Sequence, residues 1–315
     1  MIHPLLERAE GETVVFDGAM GTMLMAYGLS SGESPELWNL EKPSVVGEIH
    51  RRYYEAGSEV VHTNTFGGNP LKLEGQGLAD KVGIINLAAV KIAKSVCPAG
   101  KFVAGDIGPT GKFFKPLGDA TPEAMEETFR RQAEALLGGG ADLISIETMF
   151  SLKEALAAVR ASKATGNTLV VASMTYSRTK RGFFTMMGES VTQCVSALED
   201  AGADVIGTNC TLGSKDMVEL TKEIRAATRK PILIQPNAGK PSTRKGITTY
   251  EQSPAEFGQD GKKIKEAGAD LIGGCCGTTP EFIRELVRAI ACVRQDPNPP
   301  SNSCSQSGTL LSKES

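Results

Sequence analysis

Ala267-Gly268-Ala269-Asp270-Leu271-Ile272 runs without a break into Gly273-Gly274-Cys275-Cys276-Gly277-Thr278-Thr279-Pro280. The first half of this stretch decides the fold, and the second half carries the chemistry. A glycine closes a helical pattern, a tight turn follows, and an apolar run opens a strand. The same phrase occurs as Ala56-Gly57-Ser58-Glu59-Val60-Val61, as Gly139-Gly140-Ala141-Asp142-Leu143-Ile144 and as Ala201-Gly202-Ala203-Asp204-Val205-Ile206. Self-similarity at helix-to-strand junctions is the trace of a repeated supersecondary unit.

Further strand candidates are Thr13-Val14-Val15-Phe16, Phe102-Val103-Ala104-Gly105, Leu169 to Met174 and Pro231 to Gln235. The tally is eight strands, near residues 14, 60, 103, 143, 170, 205, 232 and 271. Helical patterns separate them over 43–56, 80–96, 122–138, 151–163, 190–201, 214–227, 254–267 and 280–294. The strands are apolar throughout, as expected when both faces are covered. Eight alternating units predict a single (β/α)8 TIM barrel over residues 1–294, with a doubly wound sheet as the weaker alternative. The Pro- and Ser-rich stretch 295–315 has no periodicity and predicts a disordered tail.

Composition narrows the function. The chain has 315 residues, a net charge of -3 and a pI near 5.8, which argues against nucleic acid or an anionic membrane surface as partner. No apolar run approaches the roughly 20 residues of a membrane span. Met1 to Arg8 has neither the basic start nor the apolar core of a signal peptide. Seven cysteines at irregular spacings are not a secreted disulfide framework. A cytoplasmic protein with metal-binding or reactive thiols fits them better.

In a (β/α)8 barrel the active site gathers at the C-terminal ends of the strands. Here the polar phrases follow strands: Asp17-Gly18-Ala19-Met20-Gly21-Thr22, Asn64-Thr65, Asp106-Ile107-Gly108, Glu147-Thr148, Asn209-Cys210, Pro236-Asn237 and Cys275-Cys276. Adjacent cysteines are poorly placed to bridge each other. With Cys210 brought to the same mouth, Cys275 and Cys276 make a three-thiolate site that suits Zn2+ and leaves a fourth position open for a thiol substrate. Cys97, Cys194 and Cys292 lie in helical patterns and read as small hydrophobes, and Cys304 as an incidental thiol. Glu147 closes an apolar strand and reads either as the holder of a substrate ammonium or as a structural carboxylate paired with a lysine. The Asp17–Thr22 loop offers backbone N–H groups to a substrate carboxylate. Asn64 and Asp106 either line the mouth or cap neighbouring helices. His62 reads as a core or rim histidine, and His3 and His50 as peripheral.

Assembled, these phrases resemble the homocysteine S-methyltransferase family, most closely its homocysteine-binding module in cobalamin-dependent methionine synthase. The carriers also include Thr63-Asn64-Thr65-Phe66-Gly67, Gly105 to Gly111 and Pro236 to Pro241, spread over roughly residues 5 to 294. The resemblance implies a zinc-bearing barrel that methylates the thiolate of homocysteine to give methionine. Cys210, Cys275 and Cys276 would hold the metal and Glu147 the amino group. Asp17, Gly18, Ala19 and Thr22 would hold the amino-acid end, with Asn64 and Asp106 beside them. Asn237 would complete the zinc sphere before substrate arrives. The folate, cobalamin and reactivation modules of the full enzyme do not fit in this length. The methyl donor is therefore expected to be methylcobalamin on a separate corrinoid protein, or a small sulfonium or betaine. One departure from the family is Tyr176 to Gly188, which is aromatic, Met-rich and basic where the family has a Gly-rich turn. It keeps open another small thiol, such as coenzyme M, as the acceptor. A non-catalytic corrinoid-docking subunit and a purely structural zinc site are the remaining alternatives.

Overall fold

The computed structural model describes residues 2–244 and 247–291. Its main sheet has eight parallel strands: β1 (Val14–Val15), β2 (Val60–His62), β3 (Phe102–Ile107), β4 (Leu143–Met149), β5 (Leu169–Met174), β6 (Val205–Gly213), β7 (Ile232–Asn237) and β8 (Leu271–Ile272). Each strand pairs with its successor from β2 to β8, and β8 pairs with β1. A bridge from Phe16 to Val60 brings β1 against β2. The sheet thus wraps into a (β/α)8 barrel, as the eight-unit reading predicts. The predicted helices are present, among them Pro43–Ala56, Pro122–Gly138 and Ser214–Ala227. The last described helix is Pro280–Ala291. The expected continuation to 294 and the 295–315 tail lie outside the described residues, as do Cys292 and Cys304.

The repeated phrase has one structural job. Gly57, Gly140, Gly202 and Gly268 all take the left-handed backbone, with φ between 95° and 112°, that turns a finished helix back toward the sheet. The acid two residues later pins the preceding strand. Asp270 Oδ2 accepts from the Ile232 N–H at 2.9 Å and pairs with Arg225 at 3.0 Å. Asp204 holds Val170 N–H at 2.7 Å and Lys163 at 2.9 Å. Asp142 holds Val103 N–H at 2.7 Å and Lys94 at 2.6 Å. Glu59 repeats the pattern more loosely, with Val15 N–H at 3.4 Å and Arg8 at 2.8 Å. The four acids stitch the floor of the barrel, opposite the strand ends that carry the chemistry.

Alternate residues of each strand divide between two cores. Val61, Val103, Ile144, Val170, Ile206, Ile232 and Ile272 pack with the helices. Val60, Phe102, Leu143, Leu169, Val205, Leu233 and Leu271 meet one another in the interior, where Leu5 plugs the cluster. Each fully buried side chain of this size contributes about 1.5–3 kcal/mol. The helix that supplies Leu5, Pro4–Gly11, has no counterpart among the sequence expectations.

Three expectations are corrected. The Asp17–Thr22 segment is not wholly a loop, because a helix begins within it (Met20–Ala26). Cys97 caps a helix end rather than lying inside the helix. His50 is not peripheral: it is buried, with no hydrogen-bond partner for either ring nitrogen among the described residues, and burial lowers its pKa to about 3. His3 caps the first helix through the Leu5 N–H at 3.2 Å. The unusual segment after β5 forms a hairpin, Ser177–Thr179 against Gly182–Phe184, with Arg178 and Arg181 over Phe183 and Phe184.

Candidate active site

Two strand irregularities build the site. The register of β4 against β5 shifts between Ile146 and Met149, and that of β6 against β7 shifts between Asn209 and Gly213. Inside these bulges Thr148, Cys210 and Thr211 take left-handed backbone, with φ of 58°, 60° and 61°. That conformation is costly for a residue with a Cβ, and more so for a β-branched one. Bulges of this kind re-aim side chains at a sheet end. Here they bring Glu147 and Cys210 into one mouth. A hydroxyl pair, Thr175 to Thr211 at 2.6 Å, helps hold the second bulge.

The mouth encloses a cavity of about 250 Å³. Ala19, Asn64, Asp106 and Glu147 line it together with Cys210, Cys275 and Cys276. Larger and more open grooves lie elsewhere, such as one of about 830 Å³ bordered by Gln252, Asp260 and Arg288. Mixed surface charges without soft ligands give that groove no comparable chemistry. Asp17, Gly18, Thr22 and Asn237 stand behind the wall of the smaller cavity. They hold the cysteine turn. Gly274 N–H donates to Asp17 O at 2.8 Å, Gly277 N–H to Thr22 Oγ1 at 3.0 Å, and Ala19 N–H to Thr278 Oγ1 at 3.1 Å. A Cβ on Gly18 would stand 2.6 Å from Thr278 Oγ1, so this close approach requires glycine. On the other side, Ala238 N–H donates to Cys276 O at 2.9 Å and Cys275 N–H to Pro236 O at 2.8 Å.

The three sulfurs lie within 4.8 Å of one another, and Cys210 Sγ is 3.9 Å from Cys276 Sγ. Tetrahedral zinc with bonds of about 2.3 Å needs sulfur separations of roughly 3.8 Å. The trio therefore fits a soft divalent metal, and zinc in particular. Asn237, at the end of β7, keeps a buried Oδ1 with no partner among the described residues. The thiols share their protons unequally. Hydrogen bonds from Cys210 and Cys275 pull the Cys276 pKa down to about 3, while its neighbours Cys210 and Cys276 push Cys275 well up. At Cys210 the lowering contact with Cys275 is outweighed by Cys276 and burial, which bring it to about 11. The pattern is one thiolate steadied by two thiols.

Across the cavity stands an acidic group. Burial raises the Asp106 pKa well above the ordinary range, and the adjoining Glu147 raises it further. Burial likewise raises Glu147, against the lowering effects of His62 and Asp106. Asp106 Oδ1 is buried with no hydrogen-bond partner among the described residues. Asn64 is fixed by Pro35 O at 2.7 Å and Asn39 Oδ1 at 3.1 Å. Sequence reasoning missed Glu36, a buried wall residue that accepts from Gly67 N–H at 2.7 Å and Ser34 Oγ at 2.9 Å. It carries no motif, and only its position beside a Pro-initiated turn distinguishes it. The Asp17 carboxylate points inward instead, to the His62 ring at 2.7 Å and the His62 N–H at 2.9 Å. The start of the Met20–Ala26 helix, which no side chain caps, is the part of that loop that faces the cavity.

A half-buried thiol trio and an acidic pocket thus share the C-terminal mouth of a (β/α)8 barrel. The chain belongs to the homocysteine S-methyltransferase family, whose model matches residues 14–290. It is 33% identical over 305 residues to a methionine synthase of Mycobacterium leprae, covering 91% of this chain and 25% of that protein. The chain thus spans about a quarter of the length of that relative. Among solved structures, the metallated form of the homocysteine methyltransferase MmuM from Escherichia coli superposes with a TM-score of 0.73 at 25% identity, covering 90% of this chain and 98% of that one. The oxidized form of the same protein gives 0.75 at 24% identity, covering 91% and 99%.

Proposed function

We propose that this protein is a zinc-dependent S-methyltransferase that converts homocysteine to methionine. One observation carries the reading: three metal-competent thiols and a cluster of carboxyl groups share one small cavity. A homocysteine molecule has a thiol at one end and an ammonium at the other, and the cavity has a partner for each. Cys210, Cys275 and Cys276 would hold zinc, which would supply a Lewis acid that keeps a thiol deprotonated near neutral pH. Glu147 and Asp106 receive the substrate ammonium, whose charge offsets the cost of two buried carboxyl groups. The N–H groups at the uncapped start of Met20–Ala26 receive its carboxylate. The acceptor sulfur, held as thiolate, attacks the methyl carbon in line. A carbon–sulfur bond forms, the bond to the donor breaks, and the donor leaves with the electron pair.

The acidic wall favours homocysteine over coenzyme M. A sulfonate in place of the ammonium end would meet Glu147, Asp106 and Glu36. A docking subunit without catalysis has no need of the intact trio. The donor in this reading is a methyl-corrinoid protein or a small methyl compound, and the compartment is the cytoplasm, where thiols stay reduced. No described helix is long and apolar enough to cross a membrane.

The test crosses homocysteine and coenzyme M with methylcobalamin, S-methylmethionine, betaine and methyl-folate, using zinc-loaded protein. Methionine formed from homocysteine with at least one donor is expected. Turnover confined to coenzyme M, or none with any pair, overturns the reading.

A further inference from the structure

Asn209 sits where three parts of the site meet. It is fully buried in the middle of β6, at the edge of the register shift and one residue before Cys210. Its Oδ1 accepts from the Thr148 N–H at 2.7 Å. Its Nδ2 donates to Thr148 Oγ1 at 2.8 Å, to Glu147 Oε2, and to Cys275 Sγ at 3.7 Å. A single planar amide thus spans from the carboxylate to the thiols. The residue it grips from both sides, Thr148, is one of the three held in left-handed backbone. Such a conformation persists only where its surroundings over-determine it. Without the amide, nothing else among the described hydrogen bonds ties the β4 bulge to β6 at this level.

We propose that Asn209 is a specificity-determining positioning residue that fixes the separation between the Glu147 carboxylate and the thiol trio, and so measures the length of the acceptor amino acid. The inference rests on the function proposed above. An acceptor must reach the carboxylate with its ammonium and the metal with its sulfur at once. Cysteine, one methylene shorter than homocysteine, cannot satisfy both when the two anchors are rigid. A carboxylate free to swing toward the sulfurs would let it do so. A methylene difference supports about 10–200-fold discrimination in a fixed site.

The experiment uses cobalt-loaded protein and needs no methyl donor. Homocysteine and cysteine are titrated against the cobalt–thiolate absorption band, and the ratio of their dissociation constants is compared between wild type and Asn209→Ala. Chelator competition reports metal affinity in parallel, because all three sulfurs remain. The expected result is a wild-type preference for homocysteine of about tenfold or more that collapses below about threefold in the variant, chiefly by tighter cysteine binding. Thr148→Val, which removes one of the amide's two Thr148 contacts and leaves Asn209 in place, is expected to give an intermediate ratio and serves if Asn209→Ala does not fold. An unchanged ratio with metal retained in either variant overturns the proposal. Thiol binding with the expected ratios but no methyl transfer in the donor assay would overturn the methyltransferase reading and leave the role of Asn209 standing.

Discussion

Asp17 holds His62 twice, accepting the ring nitrogen at 2.7 Å with one carboxylate oxygen and the backbone N–H at 2.9 Å with the other. The far ring nitrogen meets Ser145 at 3.0 Å. This pair ties β1 to β2 beside the Phe16–Val60 bridge that closes the barrel. Burial alone would lower the His62 pKa, but the charge and hydrogen bond of Asp17, with Glu147 behind them, raise it above 6.5. A raised histidine contributes fully below 6.5 and loses its contribution as pH rises through the raised value. His62→Ala leaves a buried carboxylate without its partner and should cost about 3–5 kcal/mol. Urea unfolding at pH 6 and pH 8 checks both points. The wild type should be the more pH-sensitive of the two proteins over this window.

The thiol trio sets a second expectation. Cys276→Ala removes one of the three proposed ligands and should abolish tight metal binding. Methyl transfer should fall by more than about 100-fold, beyond what losing a neighbouring hydrogen-bond partner costs. Cys275 and Cys210 are pushed up in the metal-free protein and must lose protons when metal enters. Metal affinity should therefore rise with pH across the neutral range. Zinc competition against a chromophoric chelator at several pH values measures this. A pH-independent affinity would contradict three-thiolate ligation.

Asp106→Asn addresses the acidic wall. Both Asp106 and Glu147 have raised pKa values in the folded protein. Their stabilising protonated forms are complete below the ordinary carboxyl range and are lost as pH rises through the raised values. Removing one acid should stabilise the protein by on the order of 1–3 kcal/mol at pH 8 and flatten the dependence of stability on pH. Homocysteine affinity should fall in the same variant. Thermal unfolding from pH 5 to 9 with and without homocysteine separates the two effects.

The barrel was legible because its signals are local. A left-handed glycine followed two residues later by an acid marks four of the helix-to-strand junctions, and Asp142, Asp204 and Asp270 each pin a strand that way. The cysteine set was legible for a similar reason, since strand ends converge whatever the details of packing. The rest depends on partners distant in sequence. Nothing near Asp17 tells that its carboxylate turns inward to His62 rather than outward to a ligand. Nothing near Thr148 tells that Asn209, about sixty residues on, bonds both its N–H and its hydroxyl where its backbone is left-handed. His50 is a different case. Its spacing from Val46 and Tyr53 puts it on the buried stripe of Pro43–Ala56, and helical periodicity applied strictly would have placed it there.

Two glycines at the mouth should respond oppositely to alanine. Gly277 has φ of 82°, and a Cβ there would lie 2.4 Å from Tyr250 Cγ. Gly277→Ala combines left-handed strain of about 1–2 kcal/mol with displacement of the Tyr250 ring. Its N–H anchors Thr22, so the cysteine turn should loosen and zinc affinity fall with stability. Gly21 lies in the first turn of Met20–Ala26, and a Cβ there meets nothing within 4 Å. Gly21→Ala should raise stability by roughly 0.5–1 kcal/mol by restricting the unfolded chain. Zinc affinity should stay at the wild-type value, because Gly21 supports neither cysteine. Paired unfolding and chelator-competition measurements on the two variants test whether the cysteine turn depends on backbone geometry at Gly277 itself. Equal metal affinities in the two proteins would show that it does not.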